Sequence, residues 1–263
     1  MNILLSNDDG YRARGINILS QEIAKFANIT VVAPDRNRSA ASSSLTVDMP
    51  LRVSKISSDP YFVYSTSGSP ADCVHLGSYR LMESKPDMVV SGINHGANLG
   101  DDVLYSGTVA AALEGRHLGM TAIAVSLDMR DKKHFQSAAI VTSIIINKLS
   151  DKPLLSNKIL NINVPDLPLE DIKGIKITRL GSRHRADNII DARDPKGRRI
   201  YWLGPPTDGE DVVEGTDFHA VSNGYVSITP LSVDFTAHNG LKDLQQWSQS
   251  LSQQFSQKVS SNV

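Results

Sequence analysis

Ile3-Leu4-Leu5-Ser6-Asn7-Asp8-Asp9-Gly10 is the stretch that decides how this chain folds. It begins as an apolar strand and ends, without a linker, in two adjacent carboxylates and a glycine. Three apolar residues with no alternation read as a strand buried on both faces, as in a parallel sheet covered by helices. Asp8 and Asp9 then stand at the C-terminal edge of that sheet, where ligands bind in open α/β folds. Neighbouring side chains on a regular strand point to opposite faces. For both carboxylates to face one object the strand must already be turning, and Gly10 permits that. Two carboxylates held close repel unless a cation sits between them. The cation suited to an all-oxygen site is Mg²⁺ or Mn²⁺. The plainer use of such a residue is as a helix N-cap, for which one aspartate is enough.

Outward from this run, the spacing of Ile16, Leu19, Ile23 and Phe26 predicts a helix over about 14–26, and Ile29–Val32 a second strand. Strand, helix and strand within about 30 residues form a βαβ opening. The small polar loop Arg36–Ser44 follows the second strand, so it too lies at the C-terminal edge. Short strands are expected at Leu51–Ile56 and Tyr61–Thr66. Ser67-Gly68-Ser69-Pro70 is turn chemistry with Pro70 at a first helical position, opening a helix to about Met82. The strand Met88-Val89-Val90 runs into Ser91–Asp102, whose glycines and asparagines let backbone approach a ligand. Tyr105-Ser106-Gly107-Thr108 opens a helix to about Leu118. Its start offers free N–H groups, a positive dipole end and hydroxyl donors, which together suit an anion. A plain Ser or Thr cap is the simpler reading of the same residues.

Further on, Thr121–Leu127 and Ile159–Val164 read as strands and Phe135–Leu149 as a helix. Gly174–Leu180, Tyr225–Thr229 and Leu231–Phe235 are the later strand candidates. The arginine-rich segment 181–203 turns at Asp194-Pro195-Lys196-Gly197 and ends in Ile200-Tyr201-Trp202, a projecting hairpin of the kind that mediates self-association. An amphipathic helix is expected from Leu241, with a frayed tail. No repeat or linker divides the 263 residues. The expected architecture is one α/β domain, Rossmann-like, with a mostly parallel sheet flanked by helices. A hairpin extension at about 181–203 and a C-terminal tail at about 231–263 are added to it.

The formal net charge of −1 argues against a general nucleic-acid binder, which carries a basic face. Cys73 is the single cysteine, so no intramolecular disulfide forms, which fits a reducing compartment. Its place in an apolar helix marks it as core filling. No basic leader and no run of about 20 apolar residues is seen, so a cytoplasmic protein off the membrane is expected.

Three segments thus end at one sheet edge. Asp8 and Asp9 supply hard oxygens, Ser39 and Asn94 could add neutral ones, and Ser106-Gly107-Thr108 could hold an anion beside them. A divalent ion next to an anion-binding helix suggests phosphate-ester hydrolysis by a metal-activated water. Asp101, Asp102 and the isolated histidines are read as solvated, capping or structural. Glu114 is read as an ion-pair partner, as is His238 with Asp234.

At these residues the chain resembles the SurE (survival protein E) nucleotidases. The blocks are Ser6–Gly10, Val32–Ser39, Val90–Asn94, Asn98–Gly100, Tyr105–Gly115, Asn161–Pro165 and Tyr225–Leu231, in the family's order over roughly residues 2–240. So many ordered blocks are far more specific than one short motif. The resemblance implies a divalent-metal-dependent 5′(3′)-nucleoside-monophosphatase, some members of which also act on polyphosphate. It implies one Mg²⁺ or Mn²⁺ per subunit held by Asp8, Asp9, Ser39 and Asn94. It implies a phosphate pocket of Asn98, Ser106, Gly107 and Thr108, and homodimers or homotetramers built with the hairpin and an exchanged C-terminal segment. His95 departs from the family pattern and is given no function.

Two rivals remain open on sequence alone. A phosphatase with an aspartate nucleophile typically carries Asp-x-Asp, which puts both side chains on one face; here the aspartates are adjacent. A nucleotide-binding regulator on the same fold is the other, since fold does not determine function.

Overall fold

The computed structural model describes residues 1–118, 121–128, 133–151, 158–183, 189–204 and 209–260. In chain order the first elements are β1 (Asn2–Ser6), α1 (Arg14–Ile23), β2 (Asn28–Pro34), β3 (Val53–Ser57), β4 (Phe62–Thr66) and α2 (Pro70–Leu76). Then come β5 (Met88–His95), α3 (Gly107–Glu114), β6 (Ala122–Asp128), α4 (Phe135–Asp151), β7 (Ile159–Pro165) and β8 (Ile175–Ile177). The last are β9 (Ile189–Arg193), β10 (Arg199–Leu203), α5 (Asp217–Ser222), β11 (Val226–Leu231) and α6 (Leu241–Ser260). The chain divides into two compact units, Met1–Leu231 and Ser232–Val263.

The first unit holds a nine-stranded sheet in the order β3-β4-β2-β1-β5-β6-β7-β11-β8. The six strands from β4 to β7 are mutually parallel; β3 and β11 run against their neighbours β4 and β7. β1 leads through α1 to β2 on one side, while β5 takes its other side. The winding therefore reverses between β1 and β5, and a crevice opens at their C-terminal ends.

Both faces of the sheet are covered, which is why the strands lack alternation. Ile3 and Leu5 pack with Ile16 and Leu19 of α1 and Ala138 and Ile146 of α4 on one face. Leu4 packs with Val74 of α2 and Val109 and Ala112 of α3 on the other. Each such aliphatic side chain contributes about 1.5–3 kcal/mol by leaving water. Cys73 sits in this second layer as filling, its thiol pushed up to about 12 by burial.

α2 begins where turn chemistry placed it. Ser69 caps Asp72 N–H and the Asp72 carboxylate returns to Ser69 N–H, a reciprocal cap with Pro70 in the first turn. The expected strand Leu231–Phe235 does not form. β11 ends at Leu231, and a strand beyond it needs a hydrogen-bonding partner that no described segment supplies. β9 and β10 pair only with each other, and Tyr201, Trp202 and Leu203 are exposed, Leu203 at 91%. The second unit is an N-terminal stretch and α6, with Leu244, Trp247, Leu251 and Phe255 all exposed. No described helix is long and apolar enough to cross a membrane.

Candidate active site

The turn after β1 is built by Asn7. Its side-chain amide donates to Gly10 O at 3.0 Å and its amide oxygen accepts from Gly10 N–H at 3.2 Å. The closure needs Gly10 at φ +97°, a conformation that costs a residue with a Cβ. Asp8 O accepts from Arg38 N–H at 2.7 Å, which ties the turn to the loop after β2. Asp8 thereby lines the cavity at this sheet edge, while Asp9 turns to His95 at the end of β5 and is not part of that lining.

Asp8 is only 4% exposed, and its Oδ1 accepts from the Thr108 hydroxyl at 2.5 Å. Burial pushes the Asp8 carboxyl above its ordinary range; the Asp9 charge adds to this and the Thr108 hydrogen bond opposes it. Asp9 is raised as well, by burial, with the His95 ring and backbone N–H opposing. His95 N–H donates to Asp9 Oδ2 at 3.1 Å, and its Nδ1 lies 3.9 Å from Asp9 Oδ1. A sequence motif does not reveal a backbone donor, and this contact was not foreseen.

Asn94 reaches the same place through a register shift. β5 pairs Ser91 with Ala124 and then Asn94 with Ser126, so β5 carries one extra residue. Such a bulge re-aims the side chains that follow it. The Asn94 amide nitrogen donates to Gly96 O at 2.8 Å, leaving its amide oxygen directed elsewhere. Ser39 is exposed, and its hydroxyl donates to Asn37 Oδ1 at 2.6 Å. Asp8, Ser39, Asn94, Asn98 and Ser106 line one cavity of about 220 Å³, together with His95, Asp102 and Tyr105. A larger cavity, of about 480 Å³, lies at the opposite, N-terminal edge of the sheet. Glu83 is its one carboxylate, so size does not locate the chemistry.

The start of α3 combines both uses read from the sequence. Ser106 caps the helix, accepting from Val109 N–H at 3.1 Å. The anion facing this helix start is Asp8. A Cβ on Gly107 would stand 2.7 Å from Asp8 Cβ and 3.0 Å from Pro70 Cγ, so only glycine allows the approach. Thr108 is fully buried and its hydroxyl donates a hydrogen bond to Asp8, outside the lining of the cavity.

Asn98 is bracketed. Its N–H donates to Asn163 Oδ1 at 2.8 Å, and its carbonyl accepts from Asn161 at 2.9 Å and Asn163 at 3.0 Å. Its side-chain amide donates to Ser126 Oγ at 2.8 Å. Asn161 and Asn163, at spacing two in a fully buried strand, were the available signal: polar residues sharing one face of a core strand must find partners. Asp102, expected to be solvated or capping, is buried and lies 3.5 Å from Arg183 Nη1. Glu114 pairs with His75 at 2.9 Å, and His238 with Asp234 at 2.6 Å. His184 lies outside the described residues.

No group of three or more His, Cys, Asp and Glu side chains suited to a metal gathers among the described residues. The donor set here is two carboxylates with neutral oxygens. Asp8 and Asp9 are desolvated, repel each other, and form no ion pair with Lys or Arg among the described residues. A hard divalent cation fits that set, because it relieves the repulsion and matches oxygen ligands.

The family model for Survival protein SurE matches residues 3–187. The 5′-nucleotidase SurE of Histophilus somni (strain 2336) is 60% identical over 94% of this chain and 98% of its own length. The 5′-nucleotidase SurE of Actinobacillus succinogenes is 58% identical over the same shares. The crystal structure of the SurE protein from Aquifex aeolicus superposes with a TM-score of 0.81 at 43% identity, covering 94% of this chain and 100% of that one.

Proposed function

The chain belongs to the survival protein SurE family, and from that premise we propose that it hydrolyses nucleoside 5′-monophosphates to nucleoside and phosphate with the help of one divalent ion, Mg²⁺ or Mn²⁺. The observation that carries this reading is the buried Asp8 carboxylate, with half-buried Asp9 beside it, at the β1/β5 crevice, Asp8 opening on the same cavity as Ser106 at the start of α3. Asp8, Asp9, Ser39 and Asn94 would hold the ion. When bound, a divalent ion neutralises charge on phosphoryl oxygens and makes water a better nucleophile near neutral pH.

The chain's own residues do the rest. Thr108 and the His95 N–H hold the two carboxylates in fixed directions through their hydrogen bonds at 2.5 Å and 3.1 Å. Asn98 and Ser106 line the cavity where the phosphate would sit, with Gly107 bringing the helix start close. Preorganised donors of this kind stabilise charge without reorganising during the reaction. The terminal group of polyphosphate presents the same chemistry, and we extend the proposal to it. A nucleoside 3′-monophosphate is a further candidate substrate.

The deciding experiment is phosphate release from a nucleoside monophosphate with Mn²⁺ and with chelator. We expect turnover with the ion and its loss on chelation, restored by adding Mn²⁺ back. Turnover that survives exhaustive chelation would remove the metal from the reading. Nucleotide binding with no phosphate release would favour the regulator instead.

The exposed hairpin supports a homodimer or homotetramer, since Tyr201 and Trp202, each at least 60% exposed, are costly to leave in water. The C-terminal segment, with its uncovered apolar residues on α6, would be exchanged in the same assembly. Analytical ultracentrifugation at micromolar concentration should show a mass of two or four chains. A monomer there would leave the hairpin without this explanation. The single buried thiol of Cys73 fits a cytoplasmic enzyme.

A further inference from the structure

Asp102 presents a problem for a pocket meant to take phosphate. It is a buried carboxylate in the lining of the same cavity as Asp8 and Asn98. An uncompensated negative charge there would repel the substrate, more strongly for being out of water. A positive charge facing it comes from a part of the chain that the phosphate chemistry leaves aside. Arg183 Nη1 lies 3.5 Å from Asp102 Oδ2, and the Arg183 backbone N–H donates to Asp101 Oδ2 at 2.8 Å. The guanidinium lies over the Phe218 ring at 4.8 Å from its centroid. Phe218 packs with Leu99 and with Ala97, and Ala97 lines the cavity.

The ground beneath is fixed by Asp217. This fully buried carboxylate accepts from Gly100 N–H and from Gly181 N–H, both at 2.8 Å, and from Phe218 N–H at 3.0 Å. One side chain thereby binds the wall loop to the segment carrying Arg183. Arg183 Nε is buried and makes no hydrogen bond, so the guanidinium is not held by a full set of local acceptors. Its geometry is set by Asp102 and by Phe218.

We propose that Arg183 is a positioning residue of the phosphate pocket: it cancels the Asp102 charge and holds the wall loop against Phe218, so that the cavity accepts a phosphate dianion. The proposal rests on the phosphatase reading for the identity of the anion. It does not place Arg183 on the substrate; the residue acts through Asp102.

The test is a double-mutant cycle with inorganic phosphate as the probe. Phosphate affinity is measured by calorimetry on the full chain with saturating Mn²⁺, beside kcat and KM for a nucleoside monophosphate. Arg183→Met should weaken phosphate binding by about tenfold or more, because it takes away the positive charge that faces a buried carboxylate. KM should rise more than kcat falls. Asp102→Asn in the Arg183→Met background should recover most of the lost affinity, since no charge is left to compensate. Arg183→Lys keeps the charge and should stay within about threefold of wild type, although it loses the planar stacking; this variant decides the matter if Arg183→Met does not fold. A double variant no better than Arg183→Met would overturn the proposal and put the guanidinium on the anion itself or in a purely structural post. Unchanged affinity in Arg183→Met would overturn it too. Phosphate binding that depends on Arg183 in a protein that releases no phosphate from nucleotides would stand for the proposal and against the hydrolase.

Discussion

Asp8→Asn and Asp9→Asn should each abolish nearly all phosphate release while the protein stays folded. The side chains keep their shape, so the loss is one of charge. Each variant removes one of the two anionic ligands in the proposed set of Asp8, Asp9, Ser39 and Asn94. Removing an outer partner of a metal ligand typically costs about 10–100-fold in affinity or activity, and a ligand itself should cost more. Asn94→Ala should act in the same direction but less severely, because the oxygen it removes is neutral. The stability arm has the opposite sign. Burial disfavours the charged form of both carboxylates. An ionised aspartate there opposes folding at neutral pH in metal-free protein. The urea midpoint of metal-free Asp8→Asn should therefore equal or exceed that of wild type. Calorimetric Mn²⁺ titration is the direct check: wild-type affinity in both aspartate variants would sink the assignment of the ligands. A collapse in stability without metal would show instead that these carboxylates are structural.

The second large effect is expected at Thr108. The helix start at Ser106-Gly107-Thr108 could use its hydroxyl on a phosphate oxygen, and losing such a donor typically costs about 10²–10³ in kcat. In the structure that hydroxyl donates its hydrogen bond to Asp8 at 2.5 Å instead. Thr108→Val removes the hydroxyl and nearly preserves the volume. If Thr108 acts through Asp8, Mn²⁺ affinity should fall by about 10–100-fold, with turnover falling alongside. Excess Mn²⁺ should then recover much of the activity. Competitive inhibition by inorganic phosphate should change little once the ion is saturating. A hydroxyl placed on the phosphate would give the reverse pattern: unchanged Mn²⁺ affinity, weaker phosphate inhibition and no recovery with excess ion. Stability should drop by about 1–3 kcal/mol, since Asp8 is left with an unmet acceptor in a buried site. Thr108→Ser keeps the hydroxyl and should behave almost as wild type. Ser106→Ala, which loses the helix cap, should instead cost about 1 kcal/mol in stability.

The main frame of the molecule was legible in the amino-acid order. Ile3-Leu4-Leu5 has no alternation because both faces of β1 are covered, Ile3 and Leu5 on one side and Leu4 on the other. Turn residues placed α2 to the residue at its start, because Pro70 and the Ser69/Asp72 cap are local chemistry. Asp8, Ser39, Asn94 and Ser106 were named from motifs at strand and helix ends and Asn98 from the family resemblance, and the fold brings the five to one cavity. Periodicity and turn signals are properties of short windows, so a short window was enough.

What only the tertiary structure decided involves groups far apart in sequence, or groups without a side-chain signature. Thr108 meets Asp8 across 100 positions, and the contact turns a helix-cap residue into a support for a carboxylate. His95 matters to Asp9 through its backbone N–H, which every residue but proline carries, so no residue type could announce it. Asp102 reads from the sequence as solvated or capping; the fold buries it and brings Arg183, 81 positions on, to 3.5 Å from its carboxylate. Strand Leu231–Phe235 was read from residue type, yet a strand is a pairing, and pairing depends on which edge is free. Local order thus determined the elements and which of their ends carry the chemistry. The direction and charge state of each site group came from neighbours that only the folded chain supplies.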